Sequence, residues 1–172
     1  MKVVLVGLPG SGKSTFGKQL ASAMEVDFFD LDQLIEARVG QTIPDIFMLQ
    51  GEEAFRKIES SILRETLERK ESLVLASGGG APCYKDNMAI INEFATSVYL
   101  NLPLESISSR LSNSKNSTRP MFAGLDKNGV KSKLSELMEA REPYYEQSKI
   151  KLSGEDFSAE LLIFELAREL KN

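Results

Sequence analysis

The residues most able to do chemistry form one run, Gly7-Leu8-Pro9-Gly10-Ser11-Gly12-Lys13-Ser14-Thr15, a complete G-x-x-x-x-G-K-[ST] pattern. Such a run holds polyphosphate. Its glycines let main-chain N–H groups turn inward against phosphate oxygens, and the helix that follows adds the positive end of its dipole. Gly10, Ser11, Gly12, Lys13, Ser14 and Thr15 are therefore the expected nucleotide contacts. Lys13 is expected to reach the β- and γ-phosphates, and the Ser14 hydroxyl to ligate Mg²⁺. A plain glycine turn would not require all the fixed positions of the pattern.

A kinase also needs a carboxylate near its acceptor, and Asp30-Leu31-Asp32 follows the second apolar run. Two residues apart on an extended chain, these side chains would share a side. One could hold the magnesium shell and the other accept a hydroxyl proton. Alternatively, Asp30 ends the strand and Asp32 caps a helix beginning near Leu34. Position alone leaves both open. The phosphate loop favours the first, because the chain has no histidine to act as a base. Many phosphate-loop enzymes carry a magnesium-binding Asp at the end of another strand. The matching strand here reads Leu73-Val74-Leu75-Ala76-Ser77 and runs into Gly78-Gly79-Gly80. That makes Asp30, with Ser14, the expected metal residue. The three glycines would let a ligand press against main chain. Arg56, Arg119 and Arg141 suit bidentate capture of carboxylate or phosphate, though each taken singly reads as a solvated surface residue. Glu52 and Glu59 lie four before and three after Arg56, so both can flank it on a helix. Cys83 carries no sign of activation and reads as structural or incidental.

These residues need a scaffold. Strand-like runs occur at Lys2–Val6, Asp27–Asp30, Ser72–Ser77, Ser97–Asn101 and Ile150–Leu152, with helical patterns between them. The alternation predicts an α/β fold of parallel βαβ units, with helices on both faces of one sheet. Glu52–Arg69 reads as a helix with Phe55, Ile58, Ile62 and Leu67 inward. Ala159, Leu162, Ile163, Leu166, Ala167 and Leu170 form the stripe of a last helix, with Ser158 as its N-cap. Ser112–Gly124 is polar and interrupts a helical region, as a lid over a site would.

Composition narrows the partners. The chain has 172 residues, 42% hydrophobic and 27% charged, and suits one α/β domain. A net charge of −4 argues against a basic nucleic-acid surface. One cysteine excludes an internal disulfide and fits a reducing compartment. No run of roughly 18 apolar residues is present, and the start reads as strand and loop rather than signal peptide. A cytoplasmic, monomeric protein that binds small molecules, with neither nucleic acid nor membrane as partner, is expected.

As an ordered set these motifs resemble the shikimate kinase family over nearly the whole chain. The carriers are GLPGSGKST at Gly7–Thr15, D-x-D at Asp30–Asp32, and D-I-F…G-E-x-x-F-R at Asp45–Arg56. They continue with the triple glycine at Gly78–Gly80, R-P at Arg119–Pro120, and R-x-x-Y-Y at Arg141–Tyr145. The resemblance implies a five-stranded parallel sheet of order 2-3-1-4-5, related to nucleoside monophosphate kinases. It implies transfer of the ATP γ-phosphate to the 3-hydroxyl of shikimate, on the route to chorismate and the aromatic amino acids. Asp32 would bind the shikimate hydroxyls and orient or deprotonate the acceptor. Arg56 and Arg141 would clamp the carboxylate, Gly78, Gly79 and Gly80 would offer main-chain contacts, and Phe47, Phe55 and Glu59 would shape the pocket. Arg119 would swing in toward the phosphates, and Asp30 would hold magnesium through water. Arg110 would lie against the adenine, with Ser153–Asp156 opposite. The acceptor region would span about residues 31–60 and the lid about 112–124. Another small-molecule kinase, acting on gluconate or a nucleotide, is the competing enzyme, but a nucleotide acceptor would call for more arginines. A non-catalytic relative would be expected to have lost Lys13, Asp30, Asp32 or a substrate arginine, and none is lost.

Overall fold

A computed structural model of the chain describes residues 1–113 and 120–169. In strand β1 (Lys2–Val6), Val3, Val4, Leu5 and Val6 are all fully buried. Successive side chains on a strand point to opposite faces, so burial at every position requires cover on both. The same holds for β3 (Leu73–Ala76) and for Ser97 to Leu100 of β4 (Thr96–Asn101). The edges, β2 (Asp27–Asp30) and β5 (Ile150–Ser153), are less buried. The five strands are parallel in the order β2-β3-β1-β4-β5, as expected.

Seven α-helices lie between and after the strands among the described residues: α1 (Lys13–Met24), α2 (Leu31–Val39), α3 (Ile43–Leu67), α4 (Asn87–Phe94), α5 (Leu104–Asn113), α6 (Lys127–Tyr145) and α7 (Ala159–Glu169). Helix α1 packs on α7, α2 on α3, and α5 on α6. The helix expected from Glu52 is the second part of α3. Gly51, at φ 81° and ψ 170°, breaks the helix at that point, and the first part is capped by Thr42 through the Asp45 N–H. Ser158 caps α7 as expected, its hydroxyl accepting the Leu161 N–H at 3.3 Å.

One expectation about local structure is corrected. The two aspartates do not share an extended segment, because β2 ends at Asp30 and α2 begins at Leu31. Asp30 is the cap: its Oδ1 accepts the Asp32 N–H at 3.1 Å. A helix capped by Asp32 and starting near Leu34 is excluded for the same reason, since the Asp30 carboxylate already satisfies the first turn.

The strand carboxyl ends share one edge of the sheet. There β1 leads to β2 on one side, while its neighbour β3 leads past it to β4 on the other, so the two connections run in opposite directions. That divergence opens a crevice beyond the strand ends, the usual ligand position in open α/β sheets.

Candidate active site

The phosphate loop leaves β1 at this crevice. Gly12, at φ 90°, turns the chain into α1 and is an N-cap without a side-chain cap bond. The first-turn N–H groups of α1 are thus directed at the loop, where they suit an anion. A side chain at that φ would be strained. Lys13 is buried and folds back into the loop, its Nζ donating to the carbonyls of Gly7 and Leu8 at 2.9 Å each.

Ser14 Oγ donates to Asp30 Oδ2 at 2.6 Å. Asp30 therefore uses one oxygen to cap α2 and the other to meet the loop. Two oxygen donors fit a hard cation such as Mg²⁺, which takes few protein ligands and keeps water and phosphate oxygens. No group of three or more His, Cys, Asp or Glu side chains that could hold a metal is present among the described residues. Ser77, where other phosphate-loop enzymes place an acid, is buried and its hydroxyl donates to the Leu5 carbonyl at 3.0 Å.

The loop faces a cleft of about 600 Å³ that brings together Gly10–Thr15, Asp30, Asp32, Gly78, Gly79 and Arg110. Its far wall joins α5 to the loop after β5. Arg110 Nη2 donates to the Glu155 carbonyl at 3.3 Å, and Ser106 Oγ to Glu155 Oε1 at 2.5 Å. Glu155 and Asp156 line the cleft with Arg110. Phe157, which sequence reasoning missed, joins them and packs edge-on against Phe16 with centroids 5.6 Å apart.

At the other end the glycine turn is closed upon by charge. A Cβ on Gly78 would lie 2.8 Å from Glu59 Oε1 and 3.1 Å from Asp32 Oδ1. On Gly79 it would lie 3.0 Å from Arg141 Nη1, and on Gly80 2.6 Å from Arg56 Nη2. Three bare residues therefore let two acids and two arginines, from α2, α3 and α6, converge on one stretch of main chain. Arg56 donates to Glu59 at 2.6 Å and to Glu52 at 3.5 Å, the flanking pair read from the spacing. Phe55 is buried beneath the guanidinium, 5.2 Å from ring centroid to Cζ, and Phe47 packs on Phe55 at 4.5 Å. The two phenylalanines thus support Arg56 from below.

Burial sets the electrostatics here. Glu59 is 1% exposed, and its carboxyl is held above the ordinary value, first by burial and further by Asp32, against the pull of Arg56 and Arg141. Burial works against charge on Arg56, but Glu59 and then Glu52 outweigh it and raise its pKa. The Cys83 thiol is pushed up to about 11 by burial, despite Arg141 and Arg56 nearby, so it stays protonated at neutral pH.

Two further residues hold the glycine turn and were not singled out in the sequence. Tyr145 donates to the Gly79 carbonyl at 2.5 Å. Asn87, fully buried, donates to the Ala81 carbonyl at 2.8 Å and accepts from Ser60 Oγ at 2.6 Å. Tyr145 was visible as part of R-x-x-Y-Y, four residues from Arg141, where a helix puts both on one face. No local signal marks Asn87. Arg119 lies outside the described residues, as does part of the expected lid.

The chain is similar to proteins of one enzyme family. The shikimate kinase family model matches residues 9–171. A shikimate kinase of Parabacteroides distasonis is 38% identical over 169 residues, covering 98% of this chain and 96% of that protein. The crystal structure of shikimate kinase from Bacteroides thetaiotaomicron superposes with a TM-score of 0.90 at 32% identity, covering 100% of this chain and 99% of the other. Shikimate kinase from Acinetobacter baumannii, in complex with shikimate, gives 0.84 at 32% identity over 98% and 92%.

Proposed function

The chain belongs to the shikimate kinase family, and from that premise we propose how its residues serve the reaction. It is an ATP-dependent kinase that phosphorylates a hydroxyl of shikimate. The proposed acceptor is the 3-hydroxyl, giving shikimate 3-phosphate and ADP.

The observation that carries the assignment is the glycine turn with its two acids and two arginines. A small acid bearing several hydroxyls needs both kinds of partner: guanidinium groups for its carboxylate, and carboxylates for its hydroxyls. In this proposal Arg56 and Arg141 hold the carboxylate, and the main chain of Gly78, Gly79 and Gly80 bounds the ring. Asp32 orients the acceptor hydroxyl and takes its proton as the phosphoryl group arrives. Glu59, with Phe55 and Phe47, keeps Arg56 in place.

On the nucleotide side, Gly10–Thr15 cradle the phosphates and Lys13 neutralises charge on the group in flight. Ser14 and Asp30 would hold Mg²⁺, which when bound offsets negative charge on phosphate oxygens. Arg110, Glu155 and Asp156 flank the adenine. We extend the proposal to residues 1–172 as a single kinase domain, monomeric and cytoplasmic. No helix among the described residues is long and apolar enough to cross a membrane.

A coupled ADP-release assay with shikimate, gluconate and nucleoside monophosphates tests the assignment. Turnover is expected with shikimate and not with the others. Turnover with another acceptor and none with shikimate would refute it.

A further inference from the structure

We propose that Tyr145 is a positioning residue of the acceptor site: its hydroxyl fixes the Gly79 peptide relative to the Arg141 guanidinium, and so sets affinity for the acceptor's carboxylate. Its role rests on the proposed contacts of Arg141 and Gly79 with the acceptor.

A turn of three glycines has no side chains of its own to hold its peptides, and glycine gives up more freedom on ordering than other residues. An outside donor must supply the constraint. Tyr145 is the last residue of α6, fully buried, and its hydroxyl reaches the Gly79 carbonyl at 2.5 Å. The bond pulls that carbonyl toward α6. In a planar trans peptide the Gly80 N–H then points the opposite way, so one hydroxyl orients both groups.

Arg141 lies one turn earlier on the same face of α6, and its charge acts on the same hydroxyl. Gly79 is also where an added Cβ would lie 3.0 Å from Arg141 Nη1. Guanidinium, phenol and glycine peptide therefore form one connected unit. The phenol is a permanent donor: burial raises its pKa, against the pull of Arg141. Its ring is held separately, tilted against Tyr99 with centroids 5.2 Å apart. Removing the oxygen alone thus leaves the packing in place.

Tyr145→Phe in the full chain, with steady-state kinetics and thermal melting, is the test. The KM for shikimate should rise roughly three- to tenfold, the range for loss of one hydrogen bond. The KM for ATP and kcat should stay within about twofold, inside the lower edge of that range. Tyr145→Met, which also lacks the oxygen, should show the same split. In an Arg141→Lys background the Tyr145→Phe step should lose most of its effect, because the two act as a unit. An unchanged shikimate KM in Tyr145→Phe, an equal rise in both KM values, or full additivity with Arg141→Lys overturns the proposal. If Arg141→Lys alone leaves the shikimate KM unchanged, the assignment of Arg141 fails, and the role of Tyr145 fails with it. A raised KM in Arg141→Lys beside an unchanged one in Tyr145→Phe overturns only the role of Tyr145.

Discussion

In the proposed scheme the two ends of the cleft recognise negative charge by different means. The phosphate loop does so with consecutive residues, through main-chain N–H groups, one helix start and one lysine. The acceptor end uses side chains from α2, α3 and α6 that meet only because Gly78, Gly79 and Gly80 let them. The loop is built by local sequence, whereas the acceptor pocket is built by the fold. Damage to the loop should therefore act on the nucleotide in isolation. Damage to the pocket should spread through its coupled charges.

Substitution of the proposed base has the largest expected effect. Asp32→Asn should lower kcat roughly 10²–10⁴-fold, the range for general-base catalysis, with the KM for ATP little changed. A rate within a few-fold of wild type would leave Asp32 a binding residue only. Lys13→Met should follow, at roughly 10²–10³-fold in kcat, as for loss of one electrostatic donor to a developing charge. Calorimetry on this variant should find shikimate binding intact. If shikimate binding fell as well, the two ends would not be separable.

Smaller effects probe the pocket's geometry. Gly80→Ala places a methyl 2.6–2.9 Å from the Arg56 guanidinium, which Glu59 and Glu52 hold in place. The shikimate KM should rise about tenfold or more, since small misplacements at a reacting site are costly. Gly40→Ala is the contrast: its φ is 71° but nothing lies within 4 Å. It should cost about 1 kcal/mol of stability from backbone strain and leave both KM values unchanged.

The smallest effect concerns pH. Burial holds the folded pKa of Glu59 above its ordinary value near 4.5, with Asp32 adding to it and Arg56 and Arg141 opposing. Protonated Glu59 therefore favours folding. That contribution is present below the unfolded pKa and lost as pH rises through the folded one. Glu59→Gln removes the dependence, so the stability of wild type minus variant should shrink as pH climbs above about 4.5. Urea midpoints measured from pH 4 to pH 7 would show it. A difference that grows with pH would mean that the Arg56 pair outweighs burial.

The same contrast explains what could be read from the sequence. The loop, the apolar strands and the Glu52–Arg56–Glu59 cluster depend on neighbours in the chain, and each lies where spacing predicts. The D-x-D residues reach the cleft, but by a different route, because Asp30 closes β2 and caps α2 within one residue. Extended-chain geometry could not foresee that turn. The Ser77 hydroxyl and Tyr145 act on main-chain groups distant in sequence, and Asn87 ties the nearby Ala81 carbonyl to Ser60 on α3. Residue type does not announce such partners. Phe47 and Phe55 were expected in the pocket by resemblance alone, and only the fold shows Phe55 against the Arg56 guanidinium with Phe47 tilted onto it.

The position of β1 in the sheet has a consequence for how the molecule assembles. Val3 pairs with Val74 on one side and with Thr96 on the other. Parallel pairing at such separations closes long loops before any strand bond forms, which makes it slow. The phosphate loop hangs from β1, so although it is written in nine adjacent residues, the strand that carries it is held by partners far along the chain. The most local motif in the chain is thus anchored by some of its least local contacts, and loosening β3 or β4 should weaken nucleotide binding.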